Sequence, residues 1–403
     1  DDILATYGDG LGTQPEPVPA IVPKKSAFLA WHHPVKQVVR DHQWAALTRR
    51  LIEERAERRA LLRYFTLPGS DLLDVRVLAE VCAPLGVRIE YFGFNASAVG
   101  AEKAEIAEGA WVTPESALRQ ADRITDNAII MPDRLEDIAV ERSQAAGQLR
   151  LRGSFDVVNI DACDHLAFCP PGRERSTFDA LNALLTHQIT AEHPWLLFVT
   201  TRVEPALLGR PGERFQHAVS ENLTRLGTPE FGAALARALE ADASVLAAAV
   251  AQAWGTRGLR FLKLYAIGLG KFLLQFFHAQ RNFPARVELA SAYAYRVHGE
   301  TPDMLALAFR VIPEGRQALT PNVGGAAAVP LLEPRRAAYI AERAERLQDL
   351  DGELAADAGL FDAAVRNTAA LLSLANYDVG AWCEWLAAHP ERALAIDRGV
   401  FGF

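Results

Sequence analysis

Cysteine is scarce: four residues in 403. Cys82, Cys163, Cys169 and Cys383 form no C-x-x-C pair, and Cys163 and Cys169 stand six apart with no second pair nearby. That spacing argues against a thiolate metal site or a disulfide framework, and favours free thiols in a reducing compartment. Long apolar runs are missing as well. The uncharged stretch 243–256 is too short and too rich in alanine to span a bilayer, and the greasier run 261–277 is interrupted by Lys263 and Lys271. No secretory leader pattern is visible, so a cytoplasmic location with no membrane association is expected. A basic surplus is also lacking. The net charge of −8 disfavours a non-specific nucleic-acid binder, while leaving room for a local basic groove. The ten histidines are scattered and form neither a metal-ligand pattern nor a Ser-His-Asp constellation.

The chain is half apolar and 23% charged, enough to bury a large core in one big domain with a smaller one, or in two. Residues 1–26 carry Pro15, Pro17, Pro19 and Pro23 and little periodicity, and read as an extended arm. Helical spacing of Val38, Val39, Trp44, Leu47, Leu51 and Ile52 predicts a helix over 36–58. A strand over 61–67 follows, then a helix from Ser70-Asp71 to Leu85, stopped by Gly86. Further strands are predicted at 87–95, 127–131, 155–160 and 195–201, with helices at 133–148 and 177–190. The stretch 101–122 is mixed.

Strand and helix thus alternate, and the short apolar strands lack a period of two. Both features point to an α/β fold with a doubly wound, mostly parallel sheet covered on both faces. Residues 205–280 read as a helical insertion. Two long strands, 285–297 and 304–312, form a terminal antiparallel pair and bring the expected sheet to seven strands. A Gly/Ala/Pro-rich linker at 314–334 leads to a helical C-terminal region, 335–403, with breaks expected at Gly352, Gly359 and Gly380. The main domain is thus expected to span 27–313.

In an open parallel sheet, ligands bind beyond the carboxyl ends of the strands. The first strand ends in Thr66-Leu67-Pro68-Gly69-Ser70-Asp71, where Gly69 permits close backbone approach and a helix N-terminus follows. A plain strand-to-helix turn would use the same residues. The second ends in Asn95, able to bond ribose hydroxyls or simply to form a turn. The third ends in Asp133, suited to an adenine amino group or to capping the next helix. The fourth ends in Asp161, with Asp164 and His165 close by, candidates to orient a substrate or act as a base.

The order of elements, the ending YFGFNAS, the short strand before Asp133 and the segment FDVVNIDA together resemble class I S-adenosylmethionine-dependent methyltransferases. The resemblance covers about 27–313. In that family the second strand ends in an acid that binds the ribose; Asn95 holds that place here. The first loop lacks the family's G-x-G pattern and preceding acid, and no Asp/Asn-Pro-Pro-aromatic tetrapeptide follows the fourth strand. The resemblance implies S-adenosylmethionine across Thr66, Leu67, Pro68, Gly69, Asp71, Asn95, Asp133 and Asp161, with Asp161 and Asp164 toward the substrate. It equally accommodates a methyltransferase-like scaffold subunit without activity, docking a protein partner through the arm or the C-terminal helices.

Two further groupings stand out. His32, His33, Lys36 and Arg40 either reach over the site or make a structural helix entry. Arg257, Arg260, Lys263 and Lys271, interleaved with Trp254, Phe261 and Tyr265, suit either nucleic-acid binding or an amphipathic helix packed on the sheet.

Overall fold

A computed structural model describes residues 23–389 except 56, 58, 96–110, 163, 225–228, 281 and 316–331. Most of the arm and of the linker, and part of the mixed stretch, lie outside the described residues. Eight strands form one sheet in the order β3-β2-β1-β4-β5-β7-β6-β8. They are β1 (Leu61–Thr66), β2 (Arg88–Phe94), β3 (Ile129–Met131), β4 (Val157–Asp161), β5 (Trp195–Arg202), β6 (Ala285–Tyr295), β7 (Met304–Pro313) and β8 (Gln348–Asp349). The first five pair in parallel, and β7 runs antiparallel between β5 and β6. This is the doubly wound sheet with a terminal antiparallel pair that the sequence predicts. The additional strand, β8, is two residues long and lies parallel to β6 through Tyr293 and Ala294.

The apolar strands are continuous because both sheet faces are covered. Trp195 to Thr201 are buried without alternation. Phe65, Phe92, Phe94, Val158, Ile160, Leu197 and Val199 face one layer, which includes the helices α5 (Gln144–Arg150), α6 (Thr177–Gln188), α7 (Gly209–Thr224), α8 (Pro229–Leu239), α9 (Leu246–Gly255), α10 (Leu259–His278) and α11 (Leu332–Glu345). Leu62, Tyr64, Ile89, Tyr91, Val157, Leu196 and Phe198 face the other. That layer includes α1 (Pro34–Val38), α2 (Ala46–Glu53), α3 (Leu73–Cys82), α12 (Leu350–Ala356) and α13 (Ala358–Leu374). One more helix precedes α5 in the chain, α4 (Val112–Gln120), within the stretch that the sequence leaves mixed.

Several boundaries differ from expectation for local reasons. The first helical stretch is α1 and α2 joined by a π-helical segment, Val39–Ala45, and it ends at Glu53. Wide turns of this kind are frequent at functional sites. The helix after β1 starts at Leu73, since Leu72 takes a left-handed conformation (φ 54°) and Asp71 is bound elsewhere. The stretch 133–148 is a 3-10 segment, Leu135–Ala139, then α5, whose N-cap Ser143 accepts from the Ala146 amide at 2.9 Å. Gly352, Gly359 and Gly380 lie inside α12, α13 and α14 (Val379–Ala388). The breaks fall at Asp349, Asp357 and Asp378, whose carboxylates cap those helices.

The C-terminal helices fold back over the strand ends. Leu73 and Val77 of α3 pack with Leu371, Leu372, Tyr377 and Trp382, and with Phe28 and Trp31 of the N-terminal segment. Lys271 of α10 is fully buried against Glu333, and Phe261 and Tyr265 of α10 and Trp254 of α9 are buried too. The aromatic residues and the two lysines of the grouping are therefore packed within α9 and α10, whereas Arg257 and Arg260 are exposed. Among the described residues no helix is long and apolar enough to cross a membrane.

Candidate active site at the strand ends

The sheet order reverses between β1 and β4, so the crevice expected of such a sheet opens beyond Thr66 and Asp161. Parallel strands lie about 4.8 Å apart, so Asp133 at β3 and Asp161 at β4, three strands away, flank it about 14 Å apart.

Each predicted residue has a definite place. Thr66 ends β1 and is buried, its hydroxyl bonded to Asp74. Leu67 packs against the core. Pro68 is buried, and an added Cβ at Gly93 would stand 2.9 Å from its ring, so the first loop rests directly on β2. Gly69 is exposed and an added Cβ there would meet nothing within 4 Å. The space over Gly69 is therefore open, and packing within the chain does not require glycine there. Asp71 accepts from the Tyr377 hydroxyl at 2.7 Å and pairs with Lys25.

The Asn95 side-chain amide donates to the Pro68 carbonyl at 2.9 Å, joining the first two loops and leaving its own oxygen as an acceptor. Asp133 is half-buried and does not cap the segment that follows; Arg134 is the N-cap there. Asp161 pairs with Lys36, a lysine buried in α1 whose ammonium also lies 4.9 Å from the Trp44 ring centroid. Asp164 turns aside: its carboxylate accepts from the His165 amide at 2.7 Å. Its carbonyl accepts from the Thr201 hydroxyl at 2.9 Å. Thus Asp71 and Asp161 each pair with a lysine, whereas Asp164 braces the β4–β5 corner.

A buried polar group that sequence reasoning did not identify lies beneath the crevice. The Tyr64 hydroxyl donates to Asp74 at 2.8 Å and accepts from Asn159 at 2.9 Å. Burial pushes the Asp74 carboxyl up, against the pull of the Thr66 and Tyr64 hydroxyls. Arg40 is buried nearby; burial lowers its guanidinium while Asp161 and Asp74 oppose that. Arg40 Nε, Asn159 Oδ1 and Thr200 Oγ1 are buried without a hydrogen-bond partner. Of this group, only Arg40 was legible in the sequence, grouped with His32, His33 and Lys36.

His32 and His33 are both buried. His32 Nδ1 accepts from the Leu29 amide at 3.0 Å, and its carbonyl accepts from Trp382 Nε1 at 3.1 Å. His33 caps α1. The histidines therefore build the helix entry, and Lys36 reaches the site.

A cavity of about 400 Å³ lies on the same edge of the sheet, at the end of β5. Its walls include Arg202, Glu204, Arg257, Phe261, His298 and Asp303. A second, more open groove between α7 and α10, about 560 Å³, contains no strand-end residue.

No curated protein matches the chain. One solved structure, of a proposed class I S-adenosylmethionine-dependent methyltransferase from Listeria monocytogenes, is 10% identical, covering 79% of this chain and 73% of that one, with a TM-score of 0.31. The fold assignment rests on the strand order above. A family model described as PP_RS20740-like matches residues 25–387, and the chain belongs to that family.

Proposed function

We propose that this chain is a methyltransferase-like protein that binds S-adenosylmethionine in the crevice between β1 and β4. The observation that carries this reading is the open space over Gly69 beside the sheet reversal, with acceptor groups on both sides. The residues present suit an adenosyl ligand. Asn95 keeps a free carbonyl oxygen, so it supplies the ribose with the acceptor that an acid provides in the family it resembles. Asp133 stands at the far end for an adenine amino group. Asp161 and the turn 67–71 would flank the amino-acid end. When bound, the cofactor supplies an electrophilic methyl group, and the protein's part is to position it and exclude water.

A specific observation favours a second reading, a methyltransferase-like scaffold without activity. Lys25 and Lys36 already neutralise Asp71 and Asp161, as a filled site would have them. Calorimetry with S-adenosylhomocysteine separates the two. The first reading expects one-to-one binding that Asp161→Asn weakens at least tenfold. No heat at millimolar ligand leaves the scaffold.

A further inference from the structure

The cavity at the end of β5 contains a histidine–carboxylate pair. His298 Nδ1 lies 2.9 Å from Asp303 Oδ2. The backbone amides of Val297 and His298 each donate to the same carboxylate at 2.8 Å, and the Val203 amide donates to the Asp303 carbonyl at 2.8 Å. Asp303 is thereby fixed to both the β6–β7 turn and the end of β5. An ionised carboxylate only accepts, so a neutral imidazole in this pair carries its proton on Nδ1 and its lone pair on Nε2. A base oriented by an anchored acid is the arrangement that proton abstraction requires.

The placement adds a second argument. β6 runs parallel to β5, so the turn 298–303 stands on the same edge as the crevice. From β4, on the crevice, to the β6–β7 turn that carries His298 is two to three strand spacings, about 10–14 Å, within the span of one bound cofactor and its acceptor. The charged groups facing the cavity are Arg202 and Arg257, both paired with Glu204, together with Glu300 and Asp303. The two guanidiniums are thus already engaged, and Phe261 supplies an apolar wall.

We propose that His298 is the general base for a hydroxyl-bearing small molecule bound in this cavity, and that Asp303 is its positioning residue. This rests on the methyl-donor reading of the crevice. An alcohol or phenol must lose its proton as it is alkylated, whereas a neutral amine already presents its lone pair. The hydroxyl proton passes to His298 Nε2 as the oxygen forms a bond to the donor's methyl carbon. The carbon–sulfur bond breaks with its electron pair going to sulfur, which leaves as a neutral thioether. His298 then releases the proton to solvent.

Two measurements on the full chain test the base without a known acceptor. Long-range proton–nitrogen NMR should show neutral His298 protonated at Nδ1, and Asp303→Asn should abolish that preference. Acylation by diethyl pyrocarbonate, mapped by mass spectrometry, should modify His298 at neutral pH and slow at least tenfold in Asp303→Asn. A proton on Nε2, or acylation that is absent or unchanged in the variant, overturns the proposal. With radiolabelled S-adenosylmethionine, transfer to catechol should fall at least a hundredfold in His298→Gln while donor binding is unchanged. Failure of catechol to accept despite measured donor binding overturns the hydroxyl assignment. Absence of donor binding instead overturns the reading of the crevice, and the first two measurements still decide the base.

Discussion

Acid should loosen the clamp that the C-terminal helices place over the strand ends, and His32 is the group responsible. Its ring is 1% exposed and stands edge-on to Tyr377 at 4.9 Å. Burial above all, then the Arg40 charge, lowers it from 6.5 to about 3. The folded chain therefore holds His32 neutral, while the unfolded chain protonates it below the ordinary value. Stability from this group is intact above 6.5 and drains away as pH falls toward about 3. The whole gap corresponds to about 5 kcal/mol, of which about 2 kcal/mol is lost by about pH 5. The assay is guanidinium unfolding of the wild type and His32→Phe at about pH 7 and about pH 5. Phenylalanine keeps the ring but cannot take a proton. The wild type should lose about 2 kcal/mol more than the variant between the two conditions. His165 and His187, also lowered chiefly by burial, titrate in both proteins and cancel in the comparison. Equal losses in the two proteins would refute the reasoning.

Other substitutions test the support of the site. Tyr64→Phe removes the hydroxyl between Asp74 and Asn159 and should cost about 1–3 kcal/mol in denaturant unfolding; an unmoved midpoint would contradict the network. Lys271→Met strands Glu333 and should cost about 3–5 kcal/mol, most of it restored by adding Glu333→Gln. No recovery in the double variant would mean that the loss comes from packing. Gly93→Ala drives a methyl into the Pro68 ring, so it should cost about 1–3 kcal/mol and weaken S-adenosylhomocysteine binding; no effect on either would separate the first loop from the site.

The sheet was largely legible because its signal is local. Apolar runs such as 195–201 carry their burial in their composition, and the antiparallel pair 285–297 and 304–312 appears with nearly its observed ends. Helix starts were less legible where a distant partner decides them. Asp71 would suit a first helical turn, but Tyr377, 306 residues away, takes its carboxylate and the helix begins later. Gly352, Gly359 and Gly380 suggested breaks, yet an aspartate a few residues before each one sets the helix start. The strand-end rule placed Thr66, Asn95, Asp133 and Asp161 at or just beyond the ends of their strands, since it depends only on the order of elements. It could not find the pairing of Lys36 with Asp161 across 125 residues, nor the meeting of Asp74 with Tyr64 from a helix and a strand. His298 and Asp303 were within reach, as histidine and aspartate five apart in one turn, but only the carboxylate geometry gives them meaning.

The most direct test of the account is a crystal structure of the chain soaked with S-adenosylhomocysteine. The account predicts adenosyl density between the turn 67–71 and Asp161, with the ribose at Asn95 and the adenine at Asp133. Density for the ligand anywhere else on the chain, with Lys36 still on Asp161 and the space over Gly69 empty, would contradict it.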